Sequence, residues 1–429
     1  MNTIEEKIIN KDGLNLHFIQ TKKYKTMNIV AKLKAPLERE TITKRALLPY
    51  ILQQGTKSYP SRKALQLKLD ELYGAVLSVD GSKKGDNHII SVRFELANQK
   101  FIPQETSIIE EGIDLFSELL FQPNVSGDAF DETVFTREKE TLRQKMSALQ
   151  DDKMSYANTR LIDEMCEDEA YQLHVHGYEE DLDTITASDL YEYFQKMLSE
   201  DQLDIYVLGD FDETAIGEKI TSVIKREAVN SQAKHATFVN KKVDKPKEII
   251  EKQAIQQAKL HIGYRTNTTY RDDDYFALQV FNGLFGAFPS SKLFINVREK
   301  NSLAYYAASR FESHKGLLLI FSGIAPTDYD KALNIIREQM TAMKQGDFTE
   351  TELNETKDLI VNQLLETLDN PQGIIELLYQ QVVADTKMTP EQLIAGIRQV
   401  TLKDVETVAG KLEEDTVYLL TSEGDTSND

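Results

Sequence analysis

The chain has 429 residues, of which 41% are hydrophobic, and a formal net charge of −20 at pH 7. This length predicts two or three domains with ample material for cores, and the acidic balance argues against a nucleic-acid partner, since such sites concentrate Lys and Arg. The longest apolar stretch, "GLLLIFSGIA", is far shorter than the ~20 residues of a membrane span, so we expect a cytoplasmic protein with no membrane partner.

The predicted elements of the first half include a helix and a hairpin. In "SRKALQLKLDELYG" the spacing of Leu65, Leu69 and Leu72 puts all three on one helix face. The segments "AVLSVD" and "HIISVRFEL" predict two strands, and the turn-forming stretch "GSKKGDN" joins them.

A long helix, a capped helix and a strand follow. The stretch "SGDAFDETVFTREKETLRQKMSALQDD" has an acidic first turn and apolar residues at spacings of three and four, which predicts a long amphipathic helix. Thr186 can cap the next helix, with Asp189 three residues on. Residues 205–208 are predicted to form the closing strand.

The second half repeats this order. The stretch "SSKLFINVREKN" predicts a helix, "LAYYAASRF" and "GLLLIFSG" a hairpin, and "QGDFTETELNETKDLIVNQLLETLDN" a long helix. Thr401 with Asp404 repeats the cap, and residues 417–420 the closing strand.

This internal repeat predicts the fold class and the domain boundaries. We expect two α+β domains, residues 1–227 and 248–429, each an antiparallel-rich sheet with helices packed on one face. The polar, Lys-rich residues 228–247 are predicted to link them.

The stretch "ALLPYILQQGT" matches the position of a catalytic motif in a family that this sequence resembles. The two-half arrangement resembles the insulinase/pitrilysin family of zinc peptidases, which includes the mitochondrial processing peptidase. The resemblance implies αβ-roll domains that form a clamshell, and an inverted zinc motif, H-x-x-E-H, followed closely by Gly-Thr. Anchoring on Gly55-Thr56 puts Ala46 and Tyr50 at the histidine positions and Pro49 at the glutamate.

The substituted positions lack the chemistry that the motif needs. Two histidines at i and i+4 share one Zn²⁺, and the glutamate takes the proton of the bound water. The resemblance places a third ligand, a glutamate of the long helix, at Gln144 or Lys145, and neither is a carboxylate. We therefore expect no zinc, no other cofactor and no peptidase activity of the isolated chain.

The one close pair of histidines in the sequence offers an alternative metal site. His174 and His176, in "YQLHVHGYEEDL", would share a face on an extended segment. The stretch resembles a structural loop of the family, so a loop or core role is favoured over metal binding. The single cysteine, Cys166, excludes an intramolecular disulfide and is expected to be a buried thiol.

More of the family pattern is present in "NGLFGAFPSSKLFINVREKNSLAYY". It resembles the motif R-E-x-x-G-L-x-Y, in which the Arg and Tyr of active members hold substrate next to the zinc. These are Arg298 and Tyr305 here, and the glycine is replaced by Ser302. A guanidinium offers a fork of donors to a carbonyl, and a phenol can donate to a developing oxyanion. The alternative is a solvated helix-end cation and a core aromatic residue.

The resemblance implies a function in which two chains cooperate. Some bacterial relatives work as pairs, one bringing H-x-x-E-H and the other the Arg–Tyr pair. We expect a non-catalytic, substrate-binding subunit in peptide or protein processing, in a heterodimer with a zinc-bearing chain or in a homodimer. Two alternatives are a peptide-binding or assembly protein without a peptidase partner, and a hydrolase that uses unrecognised groups.

Overall fold

The computed structural model describes residues 4–11, 13–102, 107–226 and 241–423. The strands are β1 (Glu6–Lys11), β2 (Leu14–Gln20), β3 (Thr26–Pro36), β4 (Val76–Lys84), β5 (Asn87–Ala97), β6 (Val125–Ser126), β7 (Ala129–Phe130), β8 (Gln202–Gly209), β9 (Lys247–Gln253), β10 (Ala258–Arg265), β11 (Ala304–Glu312), β12 (Leu317–Ile324) and β13 (Glu413–Ser422).

The α-helices are α1 (Ile42–Leu52), α2 (Arg62–Glu71), α3 (Ile108–Phe121), α4 (Glu132–Asp151), α5 (Lys153–Met165), α6 (Glu179–Leu182), α7 (Ala187–Glu200), α8 (Glu213–Val223), α9 (Tyr275–Asn282), α10 (Tyr329–Lys344), α11 (Glu350–Leu368), α12 (Pro371–Ala384), α13 (Pro390–Gln399) and α14 (Leu402–Lys411). Two segments, Gly283–Ala287 and Phe294–Glu299, wind as π-helical turns.

The chain divides into two compact units. The first comprises Met1–Ala148 and Leu173–Thr237, and the second comprises Leu149–Gln172 and Phe238–Asp429. The predicted linker, residues 228–247, lies outside the described residues except for its last seven, 241–247, which end in the first residue of β9.

The sheet of the first unit has the strand order β1-β2-β8-β3-β5-β4. The β2–β8 pair is parallel, and every other neighbouring pair in this order is antiparallel. Alternate residues of these strands face a core formed with α1, α3 and α7, which includes Phe94, Phe116 and Phe194. The sheet thus presents one apolar face to helices, as the period-2 strand pattern predicts.

The sheet of the second unit repeats this topology. Its order is β11-β12-β10-β13-β9, again with one parallel pair, β9–β13. Pairing β2 with β9, β8 with β13, β3 with β10, β5 with β12 and β4 with β11 gives the same order in both units, with β1 as an addition in the first. The predicted α+β class is confirmed.

One helix joins the second unit from within the first half of the sequence. Ala157, Leu161 and Met165 of α5 pack against Leu319 and Phe321 of β12, on the sheet face opposite the main core. Strand β12 is apolar on both faces for this reason. The division therefore differs from the predicted boundaries, 1–227 and 248–429, in residues 149–172. The amphipathic pattern of α5 shows that it packs, but not on which sheet.

Local predictions hold with two differences. Thr186–Asp189 and Thr401–Asp404 both form reciprocal capping boxes. The predicted seven-residue turn "GSKKGDN" contracts to Gly85 and Asp86, because the ladder continues to Lys84, which is opposite Asn87. The predicted helix "SSKLFINVREKN" forms, but half of it, Phe294–Glu299, winds as a π-helical turn. Among the described residues, no helix is long and apolar enough to cross a membrane.

Candidate functional site

Helix α1 carries the predicted zinc positions. Ala46 and Pro49 are buried, and Tyr50 is half-buried. Pro49 stands inside the helix, where it has no N–H to donate, and its carbonyl accepts a hydrogen bond from Gln53 Nε2 at 2.8 Å. The helix that would present two histidines and a glutamate therefore presents a methyl group, a pyrrolidine ring and a phenol.

A carboxylate of α4 lies near the Tyr50 phenol. Glu138 is 5% exposed and accepts from Arg137 Nε at 2.7 Å, while Arg137 also donates to Gln54 Oε1 at 2.8 Å. Burial, and then the charge of Glu138, raise the pKa of Tyr50, so its hydroxyl keeps its proton. Tyr50 and Glu138 line a cleft of about 280 Å³.

The predicted third-ligand positions lie on the exposed surface of α4. Gln144 Nε2 donates to Glu140 Oε1 at 3.5 Å, and the Lys145 side chain extends into solvent. Burial lowers the pKa of His176, and the positive charge of Lys145 lowers it further. An amide and a cation thus stand at the two positions, Gln144 and Lys145, where the resemblance implies a metal-binding carboxylate.

No metal site arises elsewhere in the part of the chain that the structure describes. His174 stacks on Tyr178, with ring centroids 4.9 Å apart, and His176 is partly buried. Across residues 4–11, 13–102, 107–226 and 241–423, no three His, Cys, Asp or Glu side chains lie close enough to hold a metal ion. Cys166 is buried, as predicted.

Arg298 projects from the second π-helical turn of the second unit. Its guanidinium carbon lies 4.7 Å from the ring centroid of Phe294, one turn earlier. Phe294 was not recognised from the sequence as part of the site, although its spacing of four residues from Arg298 is typical of side chains that meet on a helix. Stacking on the ring holds the cation at an exposed position and leaves its N–H groups available.

Tyr305 occupies a β-bulge at the start of the edge strand β11. Ala304 pairs with Ile324 and Tyr306 with Gly323, so Tyr305 is the additional residue in the ladder. A bulge turns a side chain away from the regular alternation of the strand, and Tyr305 is 71% exposed. Within the described residues, neither Tyr305 nor Arg298 forms a hydrogen bond or an ion pair with another side chain.

The corner between these two residues has a left-handed backbone. Ser302 has φ 50°, at the position where the family motif has glycine. Leu303 N donates to Val297 O at 3.1 Å, and Asn301 Nδ2 donates to Asn296 O at 2.7 Å. These bonds set the direction in which the chain leaves the π-helical turn and enters β11.

The geometry defines a class of protein before any relative is considered. It combines two α+β units of one strand order, a helix with Ala, Pro and Tyr at the predicted metal positions, and an exposed Arg and Tyr that flank a strained corner. This is the architecture of a peptidase-like protein in which the described residues offer no metal centre.

Comparisons with known proteins agree with this class. Residues 184–360 match the family described as "Peptidase M16 inactive domain". The "Probable inactive metalloprotease YmfF" of Bacillus subtilis is 47% identical over 420 residues, which is 98% of this chain and 98% of that protein. The crystal structure of a conserved protein from Enterococcus faecalis V583 has a TM-score of 0.90 and 35% identity, over 99% of this chain and 100% of that one.

A more distant structure shares the fold alone. A protease from Helicobacter pylori has a TM-score of 0.82 at 16% identity, over 98% of this chain and 100% of that one. From the similarity to the Bacillus subtilis protein, the chain belongs to the M16, insulinase-like, peptidase family. The resemblance inferred from the sequence is confirmed, and the sequence of this member contains no H-x-x-E-H motif.

Proposed function

We propose that this chain is a non-catalytic, substrate-binding subunit that works with a zinc-bearing M16 partner in peptide or protein processing. The observation that carries the proposal is the pair Arg298 and Tyr305. Both side chains are exposed, with no hydrogen-bond partner among the described residues, while Ala46, Pro49 and Tyr50 stand at the predicted metal positions.

The chemistry of the pair suits a peptide. The guanidinium of Arg298 is a planar fork of donors that fits a backbone carbonyl or a carboxylate. The phenol of Tyr305 donates one hydrogen bond, which stabilises negative charge that develops on a scissile carbonyl. Because the partner would supply the zinc and the base, this chain would contribute orientation and transition-state hydrogen bonds.

The test is reconstitution with an M16 protein that carries H-x-x-E-H. Turnover of a long peptide is measured for each protein alone and for the mixture, and the mixture should be active where neither component is. Loss of one oxyanion donor typically costs about 2.7–4 kcal/mol of transition-state stabilisation. Tyr305→Phe and Arg298→Ala should therefore each lower turnover about a hundredfold or more, without weakening subunit association.

Matched variants separate this role from a general loss of stability. Arg271→Ala removes another exposed arginine of the second unit, and Tyr329→Phe removes the hydroxyl of a half-buried tyrosine; both should retain the parental rate. If the mixture cleaves at the parental rate with Arg298→Ala and Tyr305→Phe combined, the pair has a structural role. Peptide binding by the isolated chain, lost with the same two variants and unaffected by any partner, would favour the alternative of a binding or assembly protein.

A further inference from the structure

Strand β9 is an edge strand of the second sheet. It stands last in the order β11-β12-β10-β13-β9, and within the described residues no strand pairs with its outer side. The first unit differs at the equivalent place, because β2, the counterpart of β9, pairs there with the antiparallel strand β1 over six residue pairs. The outer side of β9 therefore offers backbone N–H and C=O groups to an added strand.

The burial of β9 differs from that of its counterpart in the first unit. Five of the seven residues of β2 are buried, whereas no residue of β9 is buried. Ile250, in the middle of β9, is 56% exposed. An open strand edge with an exposed apolar residue tends to pair with another chain, so this edge is a candidate surface for protein association.

The side chains of β9 alternate between the two faces of the sheet. Ile249 packs on the apolar cluster that includes α5, on one face. Glu248 lies on the other face, where Arg337 Nη2 of α10 donates to its Oε1 at 3.2 Å. Because every second residue of a strand points to the same side, Ile250 and Lys252 share the face of Glu248.

The charges on this face are complementary to those of a second copy of the same strand. When two β9 strands pair antiparallel with Ile250 opposite Ile250 of the second copy, Glu248 of each chain lies opposite Lys252 of the other. Lys252 is exposed and forms no hydrogen bond or ion pair within the described residues, so it is available. Opposite charges directly across an antiparallel pair stabilise it. The same register puts Lys247 opposite Gln253, so it contains no pair of like charges.

We propose that two copies of this chain associate through their β9 strands, paired antiparallel about a two-fold axis that passes between the two Ile250 residues. Such an isologous contact uses the same edge of both chains and closes as a dimer. Because one strand edge buries less area than a standard interface, the dissociation constant is expected in the micromolar range. Tyr305 lies on β11, at the opposite edge of the sheet, so this dimer does not rest on the proposed function.

Sedimentation equilibrium of the full chain tests the dimer and the charges that favour it. The parent chain should change from monomer to dimer as its concentration rises through the micromolar range. Lys252→Glu puts two carboxylates opposite each other at both ends of the pairing, and Glu248→Lys puts two ammonium groups there. Each variant should therefore raise the dissociation constant about tenfold or more. Lys11→Glu, on the edge strand β1 of the first unit, should leave it unchanged.

A mixture of the two single variants tests the register directly. When a Lys252→Glu chain meets a Glu248→Lys chain, every charged position again faces the opposite charge, so the mixture should form a heterodimer with about the parental dissociation constant. A monomeric parent chain, or a mixture that associates no better than the separate variants, would overturn the proposal. It would also be overturned if the parent stayed monomeric and Lys252→Glu weakened only the complex with a zinc-bearing M16 protein, since β9 would then pair with a different chain.

A cysteine at the two-fold axis provides a second measurement. In the proposed register the Cβ atoms of the two residues at position 250 lie about 4.5–5.5 Å apart, close enough for a disulfide to form with a small adjustment. Mild oxidation of Ile250→Cys should therefore give a covalent dimer, while Lys11→Cys should not. The native Cys166 is buried and does not compete. A covalent dimer that forms from neither variant, or equally from both, would contradict the proposed axis.

Discussion

The strained backbone of one residue, Ser302, sets the direction of the chain between the two candidate site residues, Arg298 and Tyr305. Ser302 adopts φ 50° at the corner between Arg298 and Tyr305, and the bond from Leu303 N to Val297 O holds it there. A left-handed conformation costs a residue with a Cβ about 1–2 kcal/mol. Such strain persists only where the surrounding structure requires it, and it concentrates at functional positions.

Replacing this serine by the glycine of the family motif should stabilise the protein. Ser302→Gly relieves the left-handed strain, partly offset by the greater freedom of glycine in the unfolded chain, so we expect a net gain of about 1 kcal/mol. The free energy of unfolding in urea measures it. Ser290→Gly is the control, because Ser290 is exposed and has no positive φ; an equal gain there would show that strain at residue 302 is not the cause.

The protonation of a second single residue, His17, makes the stability of the fold depend on pH. It is 2% exposed, with Nδ1 at 2.7 Å from Glu6 Oε1 and Nε2 at 3.1 Å from Asp204 Oδ1. Burial lowers its pKa, but the hydrogen bonds and charges of Asp204 and Glu6 outweigh this and raise the pKa to about 8 from 6.5. The charged imidazolium thus links β1 and β8 to β2.

The sign of the pH effect follows from that raised pKa. The stabilisation is fully present below about pH 6.5 and is lost as pH rises through about 8, and it amounts to about 2 kcal/mol. Urea unfolding at pH 6 and pH 9 should show this loss for the parent chain and not for His17→Gln. An identical pH dependence in the two proteins would exclude His17 as the source.

At the scale of elements, the crossing of α5 into the second unit depends on a buried ion network. Glu169, four residues after α5, contacts Arg265 Nη2 at 2.7 Å and Lys315 Nζ at 2.9 Å, and Arg265 Nε also bonds Asp415 at 2.8 Å. Burial acts to raise the pKa of Glu169, but the hydrogen bonds from Arg265 and Lys315 prevail and lower it. The carboxylate is therefore charged at neutral pH.

Removing this carboxylate should be costly because the buried cations Arg265 and Lys315 would each lose one charged contact. We expect Glu169→Ala to lower the free energy of unfolding by about 3–5 kcal/mol. Glu167→Ala is a close control, since Glu167 pairs with Lys247 at the surface, where solvent screens the two charges, and its loss should change the free energy of unfolding far less. Equal losses in the two variants would show that burial of the network does not matter.

At the scale of the whole molecule, the two units share a strand order but differ in the side chains at their candidate functional positions. The first has helix α1, with Ala46, Pro49 and Tyr50 at the positions predicted for the zinc motif, and the second has Arg298 and Tyr305. The fold is thus retained where the ligands are not. The fold does not need metal ligands at these positions, since burial of apolar area stabilises each unit.

The residues at the predicted metal positions lead to a prediction of the zinc content and peptidase activity of the isolated chain. Purified protein should contain much less than one zinc per chain by elemental analysis, because the four predicted metal and base positions carry no ligand or base. It should also leave long peptides intact. One zinc per chain together with chelator-sensitive turnover would contradict the prediction, and a zinc-bearing relative purified in parallel serves as the positive control.

The sequence by itself determined the α+β class, the repeated order of elements, the capping residues and the family. It also supports the prediction of a site at Arg298 and Tyr305 and of substituted metal positions, because periodicity, caps and motif spacing are local properties of the chain. Only the tertiary structure decided that α5 packs in the second unit, that Glu138 lies near Tyr50, and that a bulge exposes Tyr305. These features arise from contacts between residues distant in sequence, which local patterns do not encode.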